Sequence, residues 1–284
     1  MTNNFPSAAW RLLLEPYPQA GALNMATDEA LLREVAARRS PPTLRLYAWS
    51  PPALTLGRGQ PFADADVAAL AADGVTLLRR ATGGTAVFHE DELSYTVAAT
   101  NDEPRLAGGI VESYQGLSAA LLYALEKIGL RNAAANSHAE NRGGSRSPGA
   151  VRSPGAVRSP VCFELPADYE ITVGQRKLFG SAQMRIKDGI LQHGTLPLSG
   201  DIARISDYLT ARPPADRIRA HALTLRDALG RAVAWRDIAH ALIEGFTATL
   251  NLTFIPTPLL PAERSLIDQL VIEKYTNPAW TQKI

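Results

Sequence analysis

The segment VTLLRRATGGTAVFHEDELSYTVAA, Val75 to Ala99, limits the possible folds more than any other stretch of the chain. Its β-branched, aromatic and aliphatic residues suit a pleated surface, and the pair Gly83-Gly84 interrupts them, so it reads as two strands broken by a turn. A second such stretch, DYEITVGQRKLFGSAQMRIKDGILQHGTLPL, sets ITV and KLF on either side of a Gly-Gln turn and ends in the alternating ILQHGTL. TLRLYAWS and ALTLGRG add strands around Pro51 and Pro52, which cannot continue one. Helical spacing marks NMATDEALLREVAA (24–37), DADVAALAADG with Gly74 as its C-cap, and Val111 to Leu130 ending on Gly129. Beyond Asp201, DIARISDYL, TLRDALG and WRDIAHALIEGFTATLNL have the same period, and Pro256 to Pro261 punctuates the chain before a last helix, AERSLIDQLVIEKY. Strands concentrated in the first two thirds, with helices interspersed and terminal and no clean β-α-β alternation, predict an α+β domain with a mixed or antiparallel sheet.

Of the 284 residues 46% are hydrophobic and 20% charged, enough apolar material for a core and too little charge for a disordered chain. One domain over residues 1–284 is expected. Arg131 to Pro160, rich in Ala, Asn, Ser, Gly, Pro and Arg and carrying a tandem RSPGAV hexad, has no apolar periodicity to offset its ordering entropy, and reads as a disordered surface loop. The 29 Lys and Arg against 28 Asp and Glu leave a net charge of +1, which excludes the basic field of nonspecific nucleic-acid binding. No apolar run reaches a membrane span and MTNNFPSAAWRLLLEP lacks a signal-peptide pattern, so the reading is a cytoplasmic protein without a membrane partner. A single cysteine forms no internal disulfide.

Three glycine-flanked segments and that cysteine are the candidates for chemistry. In RRATGGTAVFHEDELSYT, Gly83 and Gly84 permit close approach to the backbone, with Arg79 and Arg80 before them and His89 after; a hairpin with solvated charges explains the same residues. In KLFGSAQMR, Lys177 precedes the small-residue patch Gly180-Ser181-Ala182, though a strand lysine commonly faces solvent. In GILQHGTL, His193 is either a base or a satisfied structural group. Cys162, beside Val161 and Phe163, is balanced between a small buried hydrophobe and a nucleophile at the exit of a loop.

Taken together and in this order, NMATDEALL, LYAWSPPALTLGRGQ, RRATGGTAVFHEDELSYTV, CFELPADYEITVGQRKLFGSAQMRIKDGILQHGTLPL and KYTNPAW resemble the biotin and lipoate protein ligase superfamily, and within it the cysteine-type octanoyltransferases. The likeness spans nearly the whole chain except Arg131 to Pro160. It implies a mixed β-sheet packed by helices, of the class II biotin/lipoate ligase kind, with a tunnel for a medium-length acyl chain. It implies transfer of octanoyl from acyl carrier protein to a lysine of a lipoyl-domain protein such as glycine cleavage protein H, with no cofactor. Cys162 matches the acyl-accepting thiol and Lys177 the lysine shared across the superfamily. Arg80, Thr82, Gly83, Gly84 and His89, then Gly180, Ser181, Ala182 and Gln183, then His193, Gly194 and Thr195, match substrate-binding positions. Thr85 departs from the glycine or arginine expected after the pair, and the loop before Cys162 is longer than usual and repetitive. The rivals are an ATP-dependent lipoate or octanoate ligase, which needs no cysteine, an amidotransferase between lipoyl domains, and a noncatalytic acyl-carrier-binding protein.

Overall fold

The computed structural model describes residues 5–135, 160–161 and 170–284. Its centre is a six-stranded mixed sheet in the order β10-β11-β6-β2-β1-β12. These strands are β1 (Ala8–Leu14), β2 (Thr43–Tyr47), β6 (Glu92–Thr100), β10 (Gly180–Ile186), β11 (Gly189–Pro197) and β12 (Leu252–Pro256). β1 pairs in parallel with β2 and β12, and the other pairings are antiparallel. Two small sheets join it: β3 (Ala53–Leu56) between β4 (Thr76–Arg79) and β5 (Val87–His89), and β8 (Ile171–Val173) between β7 (Ala133–Ala135) and β9 (Arg176–Lys177).

The two faces of the large sheet differ in chemistry because successive side chains alternate across it. On one face Leu44, Leu46, Leu93, Tyr95, Val97, Ile190 and Leu196 pack against Leu117, Leu121 and Leu125 of α3 (Ile110–Lys127) and Leu242, Phe246 and Leu250 of α6 (Trp235–Leu250). Gly245 brings these two helices together, since a Cβ there would lie 2.3 Å from the Ala120 carbonyl oxygen. The opposite face presents Arg45, Tyr47, Thr96 and His193 to α1 (Gly21–Ala36), all bonded to the single carboxylate of Asp28. α1 is itself covered from outside by α7 (Pro261–Leu270), whose Glu263 holds buried Arg11 of β1 in a two-pronged ion pair at 2.8 and 2.6 Å. No helix among the described residues is long and apolar enough to cross a membrane.

A mixed sheet packed by helices is what the sequence predicts, and the structure corrects several details. Parallel β-α-β units do occur: β1-α1-β2, and β3-α2-β4 through the short helix α2 (Val67–Ala72). Val75 to Ala99 holds three strands rather than two, because β5 turns off at Glu90-Asp91 before β6 begins. AAWRLLL is a strand the pattern concealed, and LTFIP, assigned partly to a helix and partly to a turn, is the edge strand β12. DIARISDYL forms a 3-10 helix instead of an α-helix. A helix, α4 (Ala215–His221), precedes α5 (Leu225–Leu229). Within Arg131 to Pro160, Ala133–Ala135 pairs with β8 and Pro160 is placed, while 136–159 lie outside the described residues.

Candidate active site

A cavity of about 450 Å³, counting its open mouth, lies where the small β3-β4-β5 sheet meets the polar face of the large one. Met25 of α1, Trp49, Val87 and Ala182 give it apolar walls; Arg80, His89, Ser94, His193 and Thr195 give it polar ones.

The glycine-pair turn forms one wall and Arg80 shapes it. The Arg80 guanidinium donates to the carbonyls of Gly83 (2.8 and 3.2 Å), Thr85 (2.8 Å) and Thr55 (3.0 Å), so its fork is spent on the turn around it. Gly84 has φ +92°, where a side chain is strained, and a Cβ there would also meet Arg80 Nη2 at 2.8 Å. Gly57 lies behind the turn so closely that a Cβ would fall 1.9 Å from the Gly84 carbonyl oxygen. Gly57→Ala should therefore push the turn into the cavity at a cost of about 1–3 kcal/mol, the range for overpacking. Chemical denaturation and acyl-ligand affinity should both report the change, and a variant equal to wild type in both would show that the turn yields freely.

Two histidines face the cavity, each oriented from behind by a carboxylate. His89 lies between Glu92 Oε1 (3.0 Å from Nδ1) and Thr55 Oγ1 (2.9 Å from Nε2), and stacks on Trp49 at 3.8 Å between ring centroids and 12° between planes. Ser94 donates to the same Glu92 oxygen at 2.5 Å and accepts from Trp49 Nε1 at 3.0 Å, so ring, indole and hydroxyl are fixed together. His193 Nδ1 meets Asp28 Oδ2 at 3.0 Å and its Nε2 meets Thr82 Oγ1 at 2.8 Å. Burial pushes the Asp28 carboxyl up, but the His193 hydrogen bond, the Arg45 charge and Thr96 outweigh it and hold the group below its ordinary value. An ionised Asp28 only accepts, so Nδ1 of His193 carries a proton toward it and the ring is held with Nε2 against the Thr82 hydroxyl.

Of the residues singled out from sequence, Arg80, Gly84, His89, Gly180, Ser181, Ala182, His193, Gly194 and Thr195 line the cavity. Gly194 is obligatory there: a Cβ would meet Tyr95 Cε1 at 2.5 Å and Ser181 Oγ at 2.6 Å. Four others are not on the described wall. Thr82 acts through His193, and Gly83 gives its carbonyl to Arg80. Gln183 turns to the α3 side, where its amide donates to Ser113 Oγ (2.9 Å) and Gln192 Oε1 (3.0 Å). Lys177 is buried in an ion pair with Glu170, instead of facing the cavity as a bare cation. Cys162 lies outside the described residues. The residue before it, Val161, is buried and bridges to Ala86, and the Pro160 carbonyl accepts from Ala86 N at 2.9 Å and Gln60 Nε2 at 3.2 Å.

The sequence reading passed over Met25, Asp28, Tyr47, Trp49, Thr55, Glu92 and Ser94. One signal for Asp28 was available: Asn24 and Asp28 are polar residues four apart on one face of the helix, and both bond Arg45.

Residues 20–247 match the family of the lipoyl protein ligase A/B catalytic domain. The chain is 36% identical over 281 residues to octanoyltransferase LipM from Symbiobacterium thermophilum, an alignment covering 96% of this chain and 98% of that one. It is 36% identical over 293 residues to octanoyltransferase LipM from Moorella thermoacetica, with 98% and 99% covered. Among solved structures it resembles Ta0514, a putative lipoate protein ligase from T. acidophilum with bound lipoic acid, at TM-score 0.74 and 25% identity, covering 97% of this chain and 100% of that one. It also resembles a lipoate-protein ligase A bound with ATP, at TM-score 0.75 and 25% identity, covering 97% and 99%.

Proposed function

Since the chain belongs to the lipoyl protein ligase A/B catalytic domain family, we propose that it is a cytoplasmic octanoyltransferase of lipoate biosynthesis, moving octanoyl from acyl carrier protein to a lysine of a lipoyl-domain protein such as glycine cleavage protein H. The observation that carries this reading is likeness to octanoyltransferases along essentially the full length of both chains. The cavity supports it. Met25, Trp49, Val87 and Ala182 offer apolar surface for the tail, and burying the six methylenes of an octanoyl group at about 0.8 kcal/mol each is worth roughly 5 kcal/mol.

In this reading Cys162 is the nucleophile. Its thiolate attacks the carbonyl carbon of the donor thioester, a new C–S bond forms, the donor C–S bond breaks, and the carrier thiolate leaves and takes up a proton. The lysine amine of the lipoyl domain then attacks the enzyme thioester, the amide C–N bond forms, the enzyme C–S bond breaks, and the proton shed by nitrogen returns to sulfur. The first step exchanges like for like; the second is driven by the stability of the amide, so neither needs ATP. Lys177, three residues before the Gly180 wall, is proposed to steady the thioester end, with Glu170 orienting its ammonium.

Octanoyl carrier protein and apo lipoyl domain, incubated with this protein, should yield octanoylated lipoyl domain equally with and without ATP. Free octanoate with ATP should yield none. Dependence on ATP, or efficient use of the free acid, would make the chain a ligase.

A further inference from the structure

Every polar side chain on the described cavity wall has a hydrogen-bond partner except one. Tyr47 donates to Asp28, Trp49 to Ser94, Ser94 to Glu92 and Arg80 to backbone carbonyls, while Thr55, His89, Ser181 and His193 are engaged as well. Thr195 Oγ1 is buried and finds no partner among the described residues, although the residue as a whole is only 4% exposed. β11 holds it between Gly180 of β10 and Ser94 of β6, and a β-branched side chain on a strand has little rotamer freedom. Thr195 shares with His193 the face of the sheet turned toward the cavity, two residues along the same strand.

A buried hydroxyl without an acceptor is costly, and native structures keep such groups rarely and for a reason. An octanoyl group carries a single hydrogen-bond acceptor of consequence, its carbonyl oxygen; the rest is hydrocarbon. We propose that the Thr195 hydroxyl donates to the acyl carbonyl oxygen, fixing which end of the cavity holds the reacting carbon. This rests on the reading of the cavity as an acyl site. It makes Thr195 a polarising contact for the carbonyl, with Gly180 opposite it and Lys177 just upstream, and leaves the tail to Met25, Trp49 and Val87.

Two ligands separate the carbonyl contact from the acyl site as a whole. N-methyloctanamide has the carbonyl but does not acylate a thiol, and methyl octyl sulfide has a tail of similar length without it. By calorimetry, Thr195→Val should bind the amide roughly 3- to 10-fold more weakly than wild type, the range of one hydrogen bond. Thr195→Ser should stay within about 2-fold of wild type, and all three proteins should bind the sulfide alike. Because the hydroxyl has no partner among the described residues to lose, Thr195→Val should also melt no lower than wild type. Equal loss of both ligands, an unchanged amide affinity, or a melting temperature several degrees lower would each overturn the carbonyl contact while leaving the acyl site in place. Binding of neither ligand by wild type would overturn the acyl site and the contact together.

Discussion

Cys162→Ser should end octanoyl transfer, lowering turnover by at least about 10³-fold, on the scale of other nucleophile losses. The chain has one cysteine, so nothing else in it can carry a thioester. A thiol titrates near about 8.5 and is a few per cent thiolate at neutral pH, whereas a serine hydroxyl needs a general base to attack at all. Intact mass spectrometry gives the positive half of the result. Wild type incubated with octanoyl carrier protein alone should gain one octanoyl group that hydroxylamine removes, and Cys162→Ser should gain none. Val161, the residue before Cys162 in sequence, bridges to Ala86 just past the glycine-pair turn that walls the cavity. Normal transfer by the serine variant would reduce Cys162 to packing and hand the chemistry to an ATP-dependent route.

The strands that line the cavity were largely legible, because ELSYTV alternates polar with apolar as a sheet with one polar and one apolar face requires, and runs of aliphatic, aromatic and β-branched residues punctuated by glycine mark the others. AAWRLLL was hidden for the opposite reason. Buried Trp10, Arg11, Leu12 and Leu13 show no alternation, since the strand is covered by the apolar core on one side and by α1 and α7 on the other. Motif reading located nine wall residues yet could not say what orients them. His193 finds its carboxylate 165 residues earlier, and Arg79, a companion of Arg80 in sequence, turns away to the carbonyls of Gly57, Gln60 and Thr281. Pairings of that sequence separation are settled by topology and leave no local pattern. Gln183 illustrates the converse: it lies on the Ser181 side of β10 but two residues farther along, where its amide reaches Ser113 of α3 and Gln192 rather than the cavity.

Asp28→Asn should weaken the fold by about 3 kcal/mol and cut transfer by about 10²-fold or more, because this buried carboxylate joins the charge balance of the sheet to the tautomer of His193. Removing one partner of a buried ion pair costs about 3–5 kcal/mol; the low end applies because Arg45 keeps Glu15 at 2.7 Å. The amide must turn its oxygen to Arg45 Nη1 and Thr96 Oγ1, both 2.8 Å from Asp28 Oδ1, and so presents its NH₂ to His193 Nδ1. That NH₂ opposes a proton on Nδ1, so the ring must give the proton up or turn, disturbing its contact with Thr82 beside the glycine-pair turn. A mis-set tautomer of this kind has cost about 10⁴ where the histidine is itself the general base, and a positioning role is expected to cost less. The pH dependence follows from the direction of the Asp28 shift. Its folded value lies below the unfolded one near 3.8, so its contribution is fully present above that value and fades as pH falls through the folded value. Denaturation curves for wild type and Asp28→Asn should therefore converge below about pH 4. A gap that persists unchanged into that acid range would mean Asp28 is neutral in the folded protein, and the histidine would then have to be held by something other than a carboxylate.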